Sequence, residues 1–114
     1  MQRICFLLRL RRDKVDEYRE HHTTVWPEML RALRDAGWHN YSLFLDGSSG
    51  LLVGYLETED FAAAQAAMER TEVNGRWQAT TAPYFEALDG ARPDERMRPL
   101  PLVFNLEDQL AALD

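Results

Sequence analysis

Residues 38–57 read WHNYSLFLDGSSGLLVGYLE. Two apolar stretches flank Gly47-Ser48-Ser49-Gly50, a run of small, turn-forming residues that has room only for a reversal of direction. The segment therefore predicts a strand from Trp38 to Asp46, a turn, and a strand from Leu51 to Glu57, paired as a hairpin. Two-residue alternation groups Tyr41 with Leu43 and Leu45 on one side, and Trp38 with Asn40 and Ser42 on the other. The adjacent apolar pairs Leu43-Phe44 and Leu52-Val53 put hydrophobic side chains on both faces, so each face of the sheet requires a cover.

Outward from the hairpin, Ile4 to Leu8 forms a compact apolar run that reads as a first strand ending near Leu10. Asp13 has the character of a helix N-cap, with Val15, Tyr18 and His22 at helical spacing behind it. Thr23, Thr24 and Pro27 mark a break before a second helical stretch, whose buried stripe is Met29, Leu30 and Leu33 and whose stop is Gly37. On the far side, Asp60 to Arg70 reads as an alanine-rich helix, and about Val73 to Leu88 as a helix bent near Pro83. Leu102, Val103, Phe104 and Leu106 follow Pro99 and Pro101 as a fourth strand. The tail, about residues 107–114, receives no element.

The order is βαββαβ, the ferredoxin-like pattern of an α+β protein with helices on one face of an antiparallel sheet. Helices for one face leave the other bare, and the same sheet of a second copy is its simplest cover. The expected assembly is a homodimer through the sheet face, a dimeric α/β barrel. A length of 114 residues fits one domain, residues 1–114.

Composition narrows the function. A formal net charge of −6, with a single short basic run from Arg9 to Arg12, speaks against a nucleic-acid partner. Cys5 is the only cysteine, so no disulfide framework can form within the chain. The apolar run after Gln2 and Arg3 is too short for a signal-peptide core or a membrane span. The expectation is a cytoplasmic protein without a membrane partner.

Tyr18 and His22 are four residues apart and stack on one helix face together with Val15. A purely structural helix would hold Leu or Ile there, because a buried phenol or imidazole without a hydrogen-bond partner costs about 1–3 kcal/mol. His21, about 100° around the helix, is expected to face solvent or a subunit contact. Tyr41 converges on Tyr18 and His22 if its Leu side meets the helices, and Trp77 adds a flat apolar face. The same residues can equally serve as satisfied core groups. As a site, they suit an uncharged sugar: hydroxyls for Tyr, His and Asn, and C–H faces for the aromatic rings. A histidine can also move a proton to or from a hemiacetal at cellular pH. His21, His22, His39 and Cys5 make no convincing zinc set. Gly47 to Gly50 lacks the lysine and the helix of a phosphate loop, and Ser48 and Ser49 lack a nucleophile elbow.

Glu17-Tyr18 and His22, followed by Val25-Trp26-Pro27-Glu28-Met29, resemble the first helix of the L-rhamnose mutarotases. Gly37, His39-Asn40-Tyr41-Ser42 and Leu45-Asp46 resemble that family's second strand, and Arg76-Trp77 its late-helix motif. The likeness runs on to Val103-Phe104-Asn105-Leu106. It implies a dimeric ferredoxin-like α/β barrel that interconverts α- and β-L-rhamnose without a cofactor. His22 would be the proton donor, and Tyr18, Tyr41 and Trp77 would contact the sugar. Gln78 stands where some members carry a second Trp, and this smaller, polar side chain is expected either to add a hydrogen bond to the substrate or to leave the pocket looser. A haem-binding or oxygen-handling dimer using His22 or His21 as ligand, and a non-catalytic sugar-binding module, are the alternative readings.

Overall fold

A computed structural model describes residues 1–113. The chain runs β1 (Gln2–Arg9), a 3-10 turn (Arg12–Lys14), α1 (Val15–His21), α2 (Pro27–Asp35), β2 (His39–Asp46) and β3 (Leu51–Thr58). It continues through α3 (Phe61–Glu69), α4 (Glu72–Thr81), 3-10 turns at Ala82–Tyr84 and Pro93–Arg96, and α5 (Leu106–Leu113). The α+β class and the antiparallel sheet with helices packed on it are as the sequence predicts.

β3 is the central strand, with β1 and β2 antiparallel on either side. Ile4, Phe6, Leu8, Leu52 and Leu56 turn one face of the sheet toward Val15, Tyr18 and Met29 from the first helices and Phe61, Met68, Val73 and Trp77 from the later ones. Asp60 caps α3 by accepting from the Ala63 N–H, and Thr71 caps α4 by accepting from that of Asn74. The hairpin turn is tied by Asp46, whose carboxylate accepts from Ser48 and Ser49. Gly50 has φ +81, and a Cβ there would lie 2.6 Å from the Leu10 carbonyl oxygen, so both the conformation and the contact require glycine. At the middle of β3 the fully buried Phe6 ring lies directly over Gly54.

Three expectations are corrected. The fourth strand does not form: among the described residues the sheet has three strands, residues 101–105 are irregular, and Leu102, Val103 and Phe104 are exposed. Pro99 and Pro101 have no N–H to give a ladder, and only Leu100 donates, to the Cys5 carbonyl of β1 at 2.8 Å. The tail, without an element in the sequence reading, is helical over α5 and tied to β1 by the Arg3–Asp108 pair; Asp114 lies outside the described residues. Asp13 caps nothing: it lies inside the 3-10 turn, and Lys14 precedes α1 with no side-chain cap bond. Finally, Trp38 is not on the side opposite Tyr41. A bulge between His39 and Ser42, with Asn40 at φ 48, breaks the alternation. Trp38 is buried, donates its indole N–H to the Ala64 carbonyl at 3.2 Å, and packs 4.9 Å from Tyr41.

The opposite face of the sheet carries the register-aligned row Leu7, Val53 and Phe44. Leu7 is 42% and Phe44 63% exposed, so the second apolar face is present and bare in the single chain.

Candidate active site

Tyr18, His22, Tyr41, Trp77 and Gln78 line one cavity of about 330 Å³ between the sheet and the helices. Asp94 joins them from the loop after α4. That volume is in the range of small-ligand pockets.

α1 ends at His21, and His22 is its C-cap, with its backbone N–H still bonded to the Tyr18 carbonyl. The ring's Nδ1 lies 2.9 Å from that same carbonyl oxygen. A carbonyl only accepts, so Nδ1 carries the proton and Nε2 is left to exchange one. Burial holds the His22 pKa below its usual value; the Tyr18 carbonyl opposes this and the neighbouring His21 adds to it. The imidazole stacks on the Tyr18 ring at 4.0 Å and meets the Trp77 edge at 5.3 Å, which fixes its plane.

Burial pushes the Tyr18 and Tyr41 phenols far above their ordinary pKa, with the charge of Asp94 adding at Tyr41. Both are neutral hydroxyls at any physiological pH. Neither is shifted by a hydrogen bond to another group.

Trp77 is held from behind. Its ring stacks on His21 at 4.6 Å and meets Trp26 edge-on at 5.0 Å. Next to it, Arg76 reaches back to α2, pairing with Glu28 at 3.0 Å and lying over the Trp26 ring. The Arg76-Trp77 pair thus clamps α4 to the start of α2. His21 corrects another expectation: it does not face solvent but is half-buried against Trp77, its Nε2 buried without a partner. The helix ends there, and α4 packs over the last turn.

Gln78 reaches the cavity with its amide partly engaged. It donates to the Asn74 side-chain oxygen at 3.0 Å and accepts from the Asp94 backbone N–H at 3.1 Å. Sequence reasoning did not single out Asn74, Arg92 or Asp94. A signal existed for the first: Asn74 and Gln78 are four apart on the buried side of α4, two amides where a core helix holds aliphatic residues. Asp94 is in the 3-10 turn Pro93–Arg96, too short for periodicity to mark a face. Among the described residues no three or more His, Cys, Asp or Glu side chains gather to hold a metal ion, and no helix is long and apolar enough to cross a membrane.

A family model described as L-rhamnose mutarotase matches residues 3–106. The chain is 42% identical over 86 residues to the L-rhamnose mutarotase of Bacillus subtilis strain 168, covering 75% of this chain and 82% of that one. With the L-rhamnose mutarotase of Burkholderia orbicola strain MC0-3 the identity is 39% over 108 residues, covering 94% of this chain and all of the relative. The crystal structure of an L-rhamnose mutarotase from Formosa agariphila aligns with a TM-score of 0.73 at 24% identity, over 93% of this chain and 99% of that one, which establishes a common fold.

Proposed function

The chain belongs to the L-rhamnose mutarotase family, and we propose that it is an isomerase interconverting the α and β anomers of L-rhamnopyranose, with His22 as proton donor. The observation that carries the reading is the single cavity in which His22, Tyr18, Tyr41, Trp77 and Gln78 meet. The reaction needs one proton delivered to the ring oxygen as another leaves the C1 hydroxyl. The C1–O5 bond then breaks, C1 becomes an aldehyde carbon, and rotation about the C1–C2 bond lets O5 re-attack either face.

With Nδ1 bonded to the Tyr18 carbonyl, donation from Nε2 requires the imidazolium. Burial makes that form scarcer and more acidic, which suits an acid that must give its proton to a weakly basic ether oxygen. Neutral Tyr18 and Tyr41 are poor proton acceptors and good hydrogen-bonding groups, so they bind hydroxyls while water takes the C1 proton. Trp77 supplies an apolar wall, and Gln78 the N–H left free by Asn74. No step calls for a cofactor.

The working unit is a homodimer, each copy covering the other's Leu7-Val53-Phe44 row. The same face carries both signs toward each end of its strands, Arg3 with Glu57 and Arg9 with Asp46, so two copies can align cation with anion. The single cysteine accords with a reducing cytoplasm. The test is saturation-transfer proton NMR on equilibrated L-rhamnose, irradiating one anomeric resonance and observing the other. Transfer with wild type and its loss in a folded His22→Ala variant is the expected result. Wild-type silence would overturn the activity, and undiminished transfer in the variant would remove His22 from the mechanism.

A further inference from the structure

The cavity contains one charged group that the mechanism above does not use. Asp94 approaches from the loop after α4 with its side chain only 15% exposed. Its Oδ1 accepts from Arg92 Nε at 3.1 Å, and its Oδ2 accepts from an Arg92 terminal nitrogen at 2.7 Å and from the Asn74 amide at 2.9 Å. Its backbone N–H is held by Gln78. A carboxylate has about four lone-pair directions. Three are taken, and the free one is on Oδ1.

We infer that Asp94 is a specificity-determining residue, whose free Oδ1 lone pair accepts a hydrogen bond from one non-reacting hydroxyl of the bound sugar. The inference rests on the sugar-mutarotase reading of this cavity. A carboxylate-to-hydroxyl bond is charge-assisted and stronger than the bonds available from the neutral Tyr and Gln groups. A position that must satisfy a buried charge also rejects a sugar that lacks the hydroxyl, since the analogue leaves the oxygen unpaired. The Arg92 and Asn74 bonds hold the carboxylate in one position, which makes it a good anchor. Asn74 and Gln78 are positioning residues for it: one fixes the side chain, the other the backbone of the same residue.

The experiment compares L-rhamnose with its 2-, 3- and 4-deoxy analogues on wild type and Asp94→Asn, measuring anomer exchange rate and, by NMR titration, binding. In wild type one analogue is expected to bind at least tenfold more weakly than the others. In D94N that penalty collapses, L-rhamnose itself loses about tenfold in KM, and kcat changes little. An unchanged ranking in D94N, or a fall in kcat at unchanged KM, would overturn the inference. If D94N melts early, Asn74→Ala loosens the same carboxylate from the helix side; the same single penalty should then shrink in part, and its full persistence would count against the inference. Wild type that neither binds nor exchanges L-rhamnose removes the mutarotase reading itself, an outcome distinct from an active wild type whose ranking D94N leaves intact.

Discussion

Gly54→Ala tests the packing beneath the site most directly. A Cβ at residue 54 would lie 2.2, 2.5 and 2.6 Å from Cζ, Cε1 and Cε2 of Phe6. Restoring an ordinary 3.4 Å contact moves that ring by about 1.2 Å. The ring has nowhere to go, because Phe6 is fully buried and packs toward Tyr41, its centroid 6.4 Å from the phenol's. Overpacking of this kind costs about 1–3 kcal/mol, and alanine's lower chain entropy in a strand returns roughly 0.5–1 kcal/mol. The expected net loss is about 1 kcal/mol, or a fall of about 5 °C in melting temperature for a domain near this size. Urea denaturation with an unchanged m-value would read it as a shift in midpoint. Phe6→Leu, which deletes the clashing ring atoms, should be far less harmful in the Gly54→Ala background than alone, giving a coupling of about 1 kcal/mol or more. Wild-type stability in the single variant, or strict additivity in the double, would refute the packing described between β1 and β3.

Four further outcomes follow from other parts of the molecule. With His22 as an imidazolium acid held below its usual pKa by burial, kcat/KM should fall as pH rises along a limb below about 6.5; a rate that rises there would mean His22 acts as the base. The same depression makes the unfolded chain bind more protons in that window, so stability is full above about pH 6.5 and declines as pH falls through the folded pKa, a slope that His22→Gln should flatten in denaturant titrations. Arg76→Ala removes exposed pairs with Glu28 and Glu72 and the contact over Trp26, so it should cost about 1 kcal/mol or less in stability while loosening Trp77 enough to raise KM. Phe44→Glu on the bare sheet face should turn a dimer into a monomer by light scattering at micromolar concentration, and a wild type already monomeric there would sink the dimer.

The hairpin was readable because Gly47 to Gly50 and the aliphatic runs beside it are local signals. The bulge at Asn40 was not: one extra residue carries Trp38 to the side of Tyr41, and no side chain in the sequence announces it. Leu102 to Phe104 have strand-like composition, but a strand exists only where it meets a partner's N–H and C=O groups, and the two prolines just before them, Pro99 and Pro101, have no N–H with which to start a ladder. For the site, helical spacing joined Tyr18 to His22, and alternation brought Tyr41 to them. Asp94 could not be found that way, because its place is set by Asn74, Gln78 and Arg92 rather than by any repeat.

The segment Pro99-Leu100-Pro101 has a consequence for the life of the protein in a crowded solution. β1 is an edge strand, and an open edge is a template on which another chain can add itself. Leu100 occupies that edge with one bond to Cys5, while the prolines on either side, facing away by the alternation of an extended chain, offer no donor to a newcomer. The edge is thereby blocked at Cys5 without a new one being opened there. Replacing both prolines by alanine would restore two outward N–H groups, and the expected phenotype is faster aggregation into thioflavin-positive material, even if stability and the sugar site are unchanged.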